Sequence, residues 1–591
     1  QGQTFTLVDV KTGNQAPMFD VKKLAEALGR PELVWQTKPF NQVEFDGELL
    51  SFNLDGKPME CRLNKVEYLC ASKAEVIEDK PSHLSPDGQH YIKRTGYDLE
   101  LCQLGVTQCV RLTRDGTKVR PYGATHPYPE QKFDSDYDGS SQLEVYWSRE
   151  GRYAMTHRTK ITGVTRLTLT DSVADNDFGV QTVEYLYPQA GDDALPSAEL
   201  VLIDTQTQEA KVLDAPPVMQ TYYGGPLWGY WHKGEYFYHD RRRGNRQYFL
   251  RKVVAQHAKV VTLIQETDPE FIDPWVQSFR LLNHSKRVIW TSQRTGYQHL
   301  YLYDGETGQL NNAITSGDYT VRAIRGVDEK RGLVYFEASG RETNRDPYLR
   351  HLYRVNLDGS ELTLLTPEAF EHDTRVSPDF TVFVDTYSDH KTPPVTVLRS
   401  TETGEILEEL QAADTRALFA SGWQPPEAFS VTADDGETQL YGLLYFPSDF
   451  DPNKRYAIID DTYTGPHNFF TPKSFQTYHN QRPALAELGF IVMKMDGRGT
   501  NKRGKAFHRH SYKNLAAGTD DHVWAIKQLA KHRAYMDIER VGIFGFSAGG
   551  YDTVQAMLRH PEFFKVGVSA SGNHDFRVDK AGWNEIWMGW P

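Results

Sequence analysis

Residues 541–552 read Val-Gly-Ile-Phe-Gly-Phe-Ser-Ala-Gly-Gly-Tyr-Asp: an apolar run breaks into glycine around one serine and then resumes with helical spacing. The spacing Gly545-x-Ser547-x-Gly549 is that of a nucleophile elbow. In such an elbow a serine sits on a sharp, strained strand-to-helix turn, and side chains at the flanking positions would strike the neighbouring backbone. Strand, serine and helix occur here in the required order. Ser547 is therefore the candidate nucleophile, and its weak hydroxyl needs a base to take its proton. Pro591, the last residue of the sequence, follows soon after.

The text on either side of the elbow has two different grammars. From about Trp423, strands such as 438–446, 456–459, 490–495, 541–546 and 566–570 alternate with helical stretches at 484–488, 520–532 and 551–560, which predicts a mostly parallel, helix-flanked sheet. Between about Val34 and Leu418, short strands are punctuated by turns such as Ser85-Pro-Asp-Gly88 and Asp304-Gly-Glu-Thr-Gly308. A phrase recurs there: a turn, a strand, a Leu-Tyr-Leu-Tyr type strand, then a glycine turn before a strand ending in Leu-Thr or Ile-Thr. It is seen at Leu99–Thr113, His299–Thr315 and His351–Thr366. Each phrase has the content of one propeller blade. The expected fold is a β-propeller of eight blades over residues 34–420, followed by an α/β-hydrolase domain, truncated, over 421–591. The alternative for the first part is a pair of β-sandwiches. A helical pattern over Ala16–Leu28, within an N-terminal segment 1–33, is expected to pack on the α/β domain.

A chain of 591 residues needs more than one core. Its net charge of −13 disfavours nucleic acid, and no apolar run is long enough to span a bilayer. Peptides are the partners this reading expects, and a homodimer stays open. Arg241-Arg-Arg243 reads as a solvated loop, and no residue grouping calls for a metal or cofactor; His508-Arg-His510 is too isolated. The four cysteines pair as Cys61 with Cys70 and Cys102 with Cys109 across short hairpins, which favours disulfides and a periplasmic or secreted protein, with free thiols in the cytoplasm as the alternative. The sequence begins at Gln1, read as a processed start, and Asn283-His-Ser285 is a sequon of little weight.

An oxyanion forming at Ser547 needs donors. The first is the backbone N–H of Ala548, and the second comes from the loop after an earlier strand, Asp461-Thr-Tyr463-Thr-Gly-Pro466. On its residues alone Tyr-x-Gly-Pro is also a plain turn. Together, Tyr463-Thr-Gly-Pro, Asp496-Gly-Arg-Gly499, Gly545-Phe-Ser-Ala-Gly-Gly-Tyr551, Trp583-Asn-Glu-Ile-Trp-Met-Gly589 and Asp346-Pro-Tyr-Leu-Arg350 resemble the prolyl oligopeptidase family across the whole chain. The dipeptidyl peptidase IV branch is the most similar. The resemblance implies that Ser547 attacks a peptide carbonyl, that Tyr463 completes the oxyanion hole, and that Trp583 and Trp587 wall a specificity pocket. It also implies a triad acid and histidine well downstream of the elbow. His574, Asp575 and Asp579 come too soon, so neither triad partner is expected in this sequence and the natural protein is expected to continue past Pro591.

Two departures bear on specificity. The branch holds a substrate's free amine with adjacent glutamates. The matching stretch here, Phe133–Trp147, offers Asp134, Asp136 and Asp138 in their place. Ala548 stands where proline-cutting members carry an aromatic residue, so the size of the first pocket is not set. The expected function is a serine exopeptidase releasing dipeptides from peptide N-termini. An acylaminoacyl peptidase or oligopeptidase of the same family is the alternative, and a catalytically inactive binding protein is the alternative from another class.

Overall fold

The structure, a computed structural model, describes residues 5–9, 14–36, 39–46, 49–63, 68–72, 83–124, 143–171, 180–219, 229–478 and 481–590. Seven antiparallel sheets of three to five strands follow one another along the first two thirds of the chain among these residues, with two further two-stranded ribbons. The four sheets beginning at Gly229, Phe279, Thr320 and Glu371 are each four strands in simple chain order.

Why the recurring Leu-Tyr-Leu-Tyr strand is apolar on both faces is now plain. In His299–Asp304, Leu300 and Leu302 pack on Phe336 and Tyr353 of the next sheet, while Tyr301 and Tyr303 pack on Leu250 and Ile264 of the sheet before. A strand covered on both sides loses the polar alternation of a half-exposed one. The recurring glycine turn has a matching cause: a Cβ at Gly308 or Gly404 would meet the carbonyl oxygen of Leu263 or Leu365 at 2.0 and 2.3 Å, and both glycines have positive φ. Each such turn abuts the end of the preceding sheet.

The second part is a six-stranded sheet in the order Glu427–Thr432, Gln439–Tyr445, Phe490–Asp496, Tyr456–Asp461, Met536–Phe546, Phe564–Ala570. Its first two pairings, Glu427–Thr432 with Gln439–Tyr445 and Gln439–Tyr445 with Phe490–Asp496, are antiparallel, and the last three are parallel. Ile458, Met493 and Ile543 of this sheet pack with Val523, Ile526 and Leu529 of helix Gly518–Ala530 in one fully buried core. Past Phe564 the last strand is exposed. Among the described residues no helix is long and apolar enough to cross a membrane.

Three expectations are corrected. The N-terminal helix is Val21–Ala27, begun by Asp20, whose side chain accepts the N–H groups of Lys22 and Lys23; Gln15–Pro17 ahead of it is strand. It does not lie on the α/β part, because its Leu24 and Ala25 are buried against Phe40, Leu50 and Phe52 of the first antiparallel sheet. Arg243 is no solvated loop residue either. Its guanidinium forks Glu585, with Nε 2.7 Å from Oε2, and stacks 3.2 Å over the Trp590 ring.

Ion pairs and hydrogen bonds join the two parts. Lys505 and Arg509 meet Asp268, Lys473 meets Asp346 at 2.7 Å, Asn501 donates to Asp273 at 2.5 Å, and the Tyr187 hydroxyl donates to Asp579 at 2.6 Å. Both cysteine pairs are disulfides, and Cys61 and Cys70 are directly opposite in register, with Cα atoms 4.0 Å apart. Replacing Cys61 and Cys70 together by serine is expected to destabilise the first sheet by about 2 kcal/mol. Chemical denaturation checks this, and an unshifted midpoint contradicts it.

Candidate active site

Ser547 lies between strand Met536–Phe546 and helix Ala548–Arg559, with φ 57° and ψ −121°. A non-glycine residue pays roughly 1–3 kcal/mol for such a backbone and keeps it only where its surroundings enforce it. Here they do. A Cβ at Gly545 would stand 2.2 Å from the Gly549 carbonyl oxygen, and one at Gly549 would stand 2.4 Å from that of Thr462. Both flanking positions must therefore be glycine, and the Ser547 N–H is tied to the Ala570 carbonyl at 2.9 Å.

Tyr463 follows strand Tyr456–Asp461 and reaches the elbow. Burial raises its phenol above the ordinary tyrosine value, and the neighbouring Ser547 side chain and Ala548 backbone oppose the rise. Ala548, first residue of the elbow helix, is thus a neighbour of the phenol. The Tyr463 ring meets Phe470 at a tilt, 4.2 Å between centroids, and His467 edge to face at 5.8 Å.

The expected pocket tryptophans separate. Trp583, on helix Ala581–Met588, is partly exposed and meets the His467 ring at 5.1 Å, which puts it one ring away from Tyr463. Trp587 is 1% exposed, closed in by Phe271, His508 and Trp275, so it supports the wall and does not line it. Residues four apart share a helix face, so the difference comes from what covers each ring, Phe271 and His508 closing over Trp587. Asp134, Asp136 and Asp138 lie outside the described residues. His574 bonds Ser569 at 3.3 Å, Asp575 pairs with Arg577, and Asp579 accepts from Asn573. Among the described residues no histidine is hydrogen-bonded to the Ser547 hydroxyl. Burial holds His467 down at about 4, so the aromatic wall is uncharged at neutral pH.

A buried polar set beneath the elbow was not read from the sequence. Asp552, fully buried one turn along the elbow helix, accepts the Thr464 N–H at 2.7 Å and so clamps the Tyr463 loop to that helix. His522 sits 2.9 Å from both oxygens of Asp460; burial works against its charge, but Asp460 outweighs it and raises its pKa. Lys494 donates to Asp461 at 3.2 Å. The only signal was an aspartate among the apolar and small residues after the elbow and an Asp-Asp pair ending a buried strand, and neither identifies its partner.

Comparison with known proteins places this geometry. The dipeptidyl peptidase IV N-terminal region matches residues 49–394, more than half of the chain, and the prolyl oligopeptidase family matches 476–591. The chain belongs to the prolyl oligopeptidase family, in its dipeptidyl peptidase IV branch. It is similar to human dipeptidyl peptidase 8, 31% identical over 364 residues, 54% of this chain and 40% of that protein. It is also similar to dipeptidyl peptidase 4 of Trichophyton equinum, 27% identical over 57% of this chain and 44% of that protein. The chain therefore spans less than half the length of these curated relatives. The crystal structure of Porphyromonas gingivalis dipeptidyl peptidase 4 shares the fold over 93% of this chain and 75% of its own, with TM-score 0.71 and 21% identity. A dipeptidyl aminopeptidase IV structure from Bacteroides ovatus does so over 100% and 83%, with TM-score 0.74 and 22% identity.

Burial pushes the Asp552 carboxyl up to about 7, opposed by the Thr464 bonds and the positive His522 and Lys494. A carboxyl raised in the folded state holds a proton that the unfolded chain has lost between about pH 4 and pH 7, so its contribution to stability falls as pH rises through that window. Asp552→Asn, which keeps an acceptor for Thr464, is expected to flatten that decline. Thermal midpoints of both proteins across the window check this, and identical pH slopes contradict it.

Proposed function

We propose that this protein is a serine exopeptidase that releases dipeptides from peptide N-termini through an acyl-enzyme at Ser547. The observation that carries the reading is a strained elbow serine with the Tyr463 phenol beside both its side chain and the Ala548 backbone. Ser547 Oγ attacks the scissile carbonyl carbon and gives up its proton to a base. The carbonyl oxygen, becoming an oxyanion, takes the Ala548 N–H and the Tyr463 O–H. Collapse expels the leaving amine, which takes a proton, and water then hydrolyses the ester. Donors fixed before the reaction cost no reorganisation at the moment charge develops.

The antiparallel sheets are read as an eight-bladed propeller over residues 34–420 that roofs the hydrolase part at 421–591. This confines substrates to short or unfolded peptides. Trp583 and the His467 ring wall the pocket beside Tyr463. Asp134, Asp136 and Asp138 are the proposed anchors of the substrate's free amine. The two disulfides support a periplasmic or secreted location. An acylaminoacyl peptidase or oligopeptidase is favoured by one observation, the absence of adjacent glutamates in Phe133–Trp147.

The test uses the whole protein. A dipeptide anilide with a free amine should be cleaved and its N-acetyl derivative should not; the reverse preference selects the alternative reading, and cleavage of neither contradicts a peptidase. Tyr463→Phe is expected to lower kcat by about 100-fold with little change in KM, the effect of removing one oxyanion donor. An unchanged kcat would remove Tyr463 from the mechanism.

A further inference from the structure

Between strands Phe279–Leu281 and Thr320–Asp328 and the loop after Asp496 lies a cavity of about 440 Å³, lined in part by Trp275, Arg280, Arg322 and Lys502. Lys502 and Arg322 are without ion-pair partners among the described residues. Among the described residues no carboxylate lies within ion-pair distance of the Lys502 ammonium or the Arg322 guanidinium; Arg322 has a 3.3 Å contact with Ser339 Oγ and the Phe469 ring beneath it. Their neighbours are provided for. Arg325 and Arg350 pair with Glu337 and Glu371 at 2.8 and 2.5 Å, and Lys473 pairs with Asp346. The carboxylate that acts most on Lys502, Asp273, is already held by the Asn501 side chain and the Trp275 N–H.

Lys502 is also held in place. Its φ is 71°, a left-handed conformation uncommon for a side-chain-bearing residue, and its N–H is fixed by Asn501 Oδ1 at 2.7 Å. Burial lowers Lys502 to about 8 and Arg322 to about 10; Asp273 opposes the shift at Lys502, and Arg322 adds to it. Two desolvated, mutually repelling cations at one cavity are relieved by a bound anion.

The cavity is near the proposed chemistry. Trp275 meets the His467 ring at 6.4 Å, and His467 meets Tyr463 at 5.8 Å. Tyr463 and Trp275 are thus at most about 12 Å apart, within the reach of three to four extended residues.

We propose that this cavity is a subsite for a carboxylate of the substrate peptide, three to four residues beyond the scissile bond, taken by Lys502 and Arg322. The proposal rests on the peptidase reading. It places the carboxylate on the leaving side, because the acyl side of a dipeptide-releasing enzyme ends after two residues. The carboxylate comes from an acidic side chain or from the peptide's C-terminus.

Whole protein carrying Ser547→Ala is titrated by calorimetry with three peptides of one sequence: a neutral C-terminal amide, the same amide with glutamate at the fourth position after the scissile bond, and a neutral peptide ending there in a free carboxylate. At least one carboxylate peptide is expected to bind about tenfold more tightly than the neutral amide. Which one does so identifies the source. The advantage is expected to vanish in Lys502→Met and to shrink in Arg322→Gln, so that loss of folding in one variant leaves the other to decide. Equal affinity for all three peptides, or none measurable for any, overturns the subsite. Cleavage of the neutral amide by protein with Ser547 intact judges the peptidase reading separately.

Discussion

The backbone of Ser547 is the constraint on which the site depends. At φ 57° and ψ −121° it is unfavourable in isolation, and at least three separate contacts hold it. The sheet fixes its N–H through Ala570, the glycines on either side admit the Gly549 and Thr462 carbonyls, and Asp552 ties the neighbouring loop back to the elbow helix. The strain is supported by packing all around it, as local strain at a reactive centre must be. Its consequence is geometric: the Ser547 side chain leaves the end of the strand beside the Tyr463 phenol.

The antiparallel part matters because it places cations, carboxylates and aromatic rings against that point. Asp268, Asp273 and Asp346 receive side chains from the α/β part, and Arg243 grips Glu585 on the helix that carries Trp583. Such pairs are half-buried and hydrogen-bonded on several sides, so breaking one leaves a charge without its partner, and they specify orientation more than they add stability. The rings of Tyr463, His467, Trp275 and Trp583 run from the elbow into the antiparallel part as one wall.

The sequence exposed what is local and periodic. Gly545, Ser547 and Gly549 are adjacent and their spacing has one physical reason, so the elbow was legible before any coordinates. The cysteine pairs were legible by counting across their hairpins. The double-sided burial of Leu300 to Tyr303 was visible as an apolar phrase, though its cause, a sheet covered on both faces, was not. Contacts between distant segments were hidden: Asp552 with Thr464, Arg243 with Glu585, the unpaired Lys502 beside Arg322. Nothing in a run of three arginines says that one will fork a carboxylate more than 300 residues away. Trp583 and Trp587 looked equivalent because spacing alone does not say which face of a short helix another part of the chain will cover.

The central claim, a nucleophilic hydroxyl presented by the elbow, is tested most directly by treating the whole protein with a fluorophosphonate and mapping the adduct by mass spectrometry. The account predicts one phosphonylated residue, Ser547, formed at a rate that depends on pH through the base that accepts its proton. Absence of label in folded protein, or label only at another serine, would contradict it.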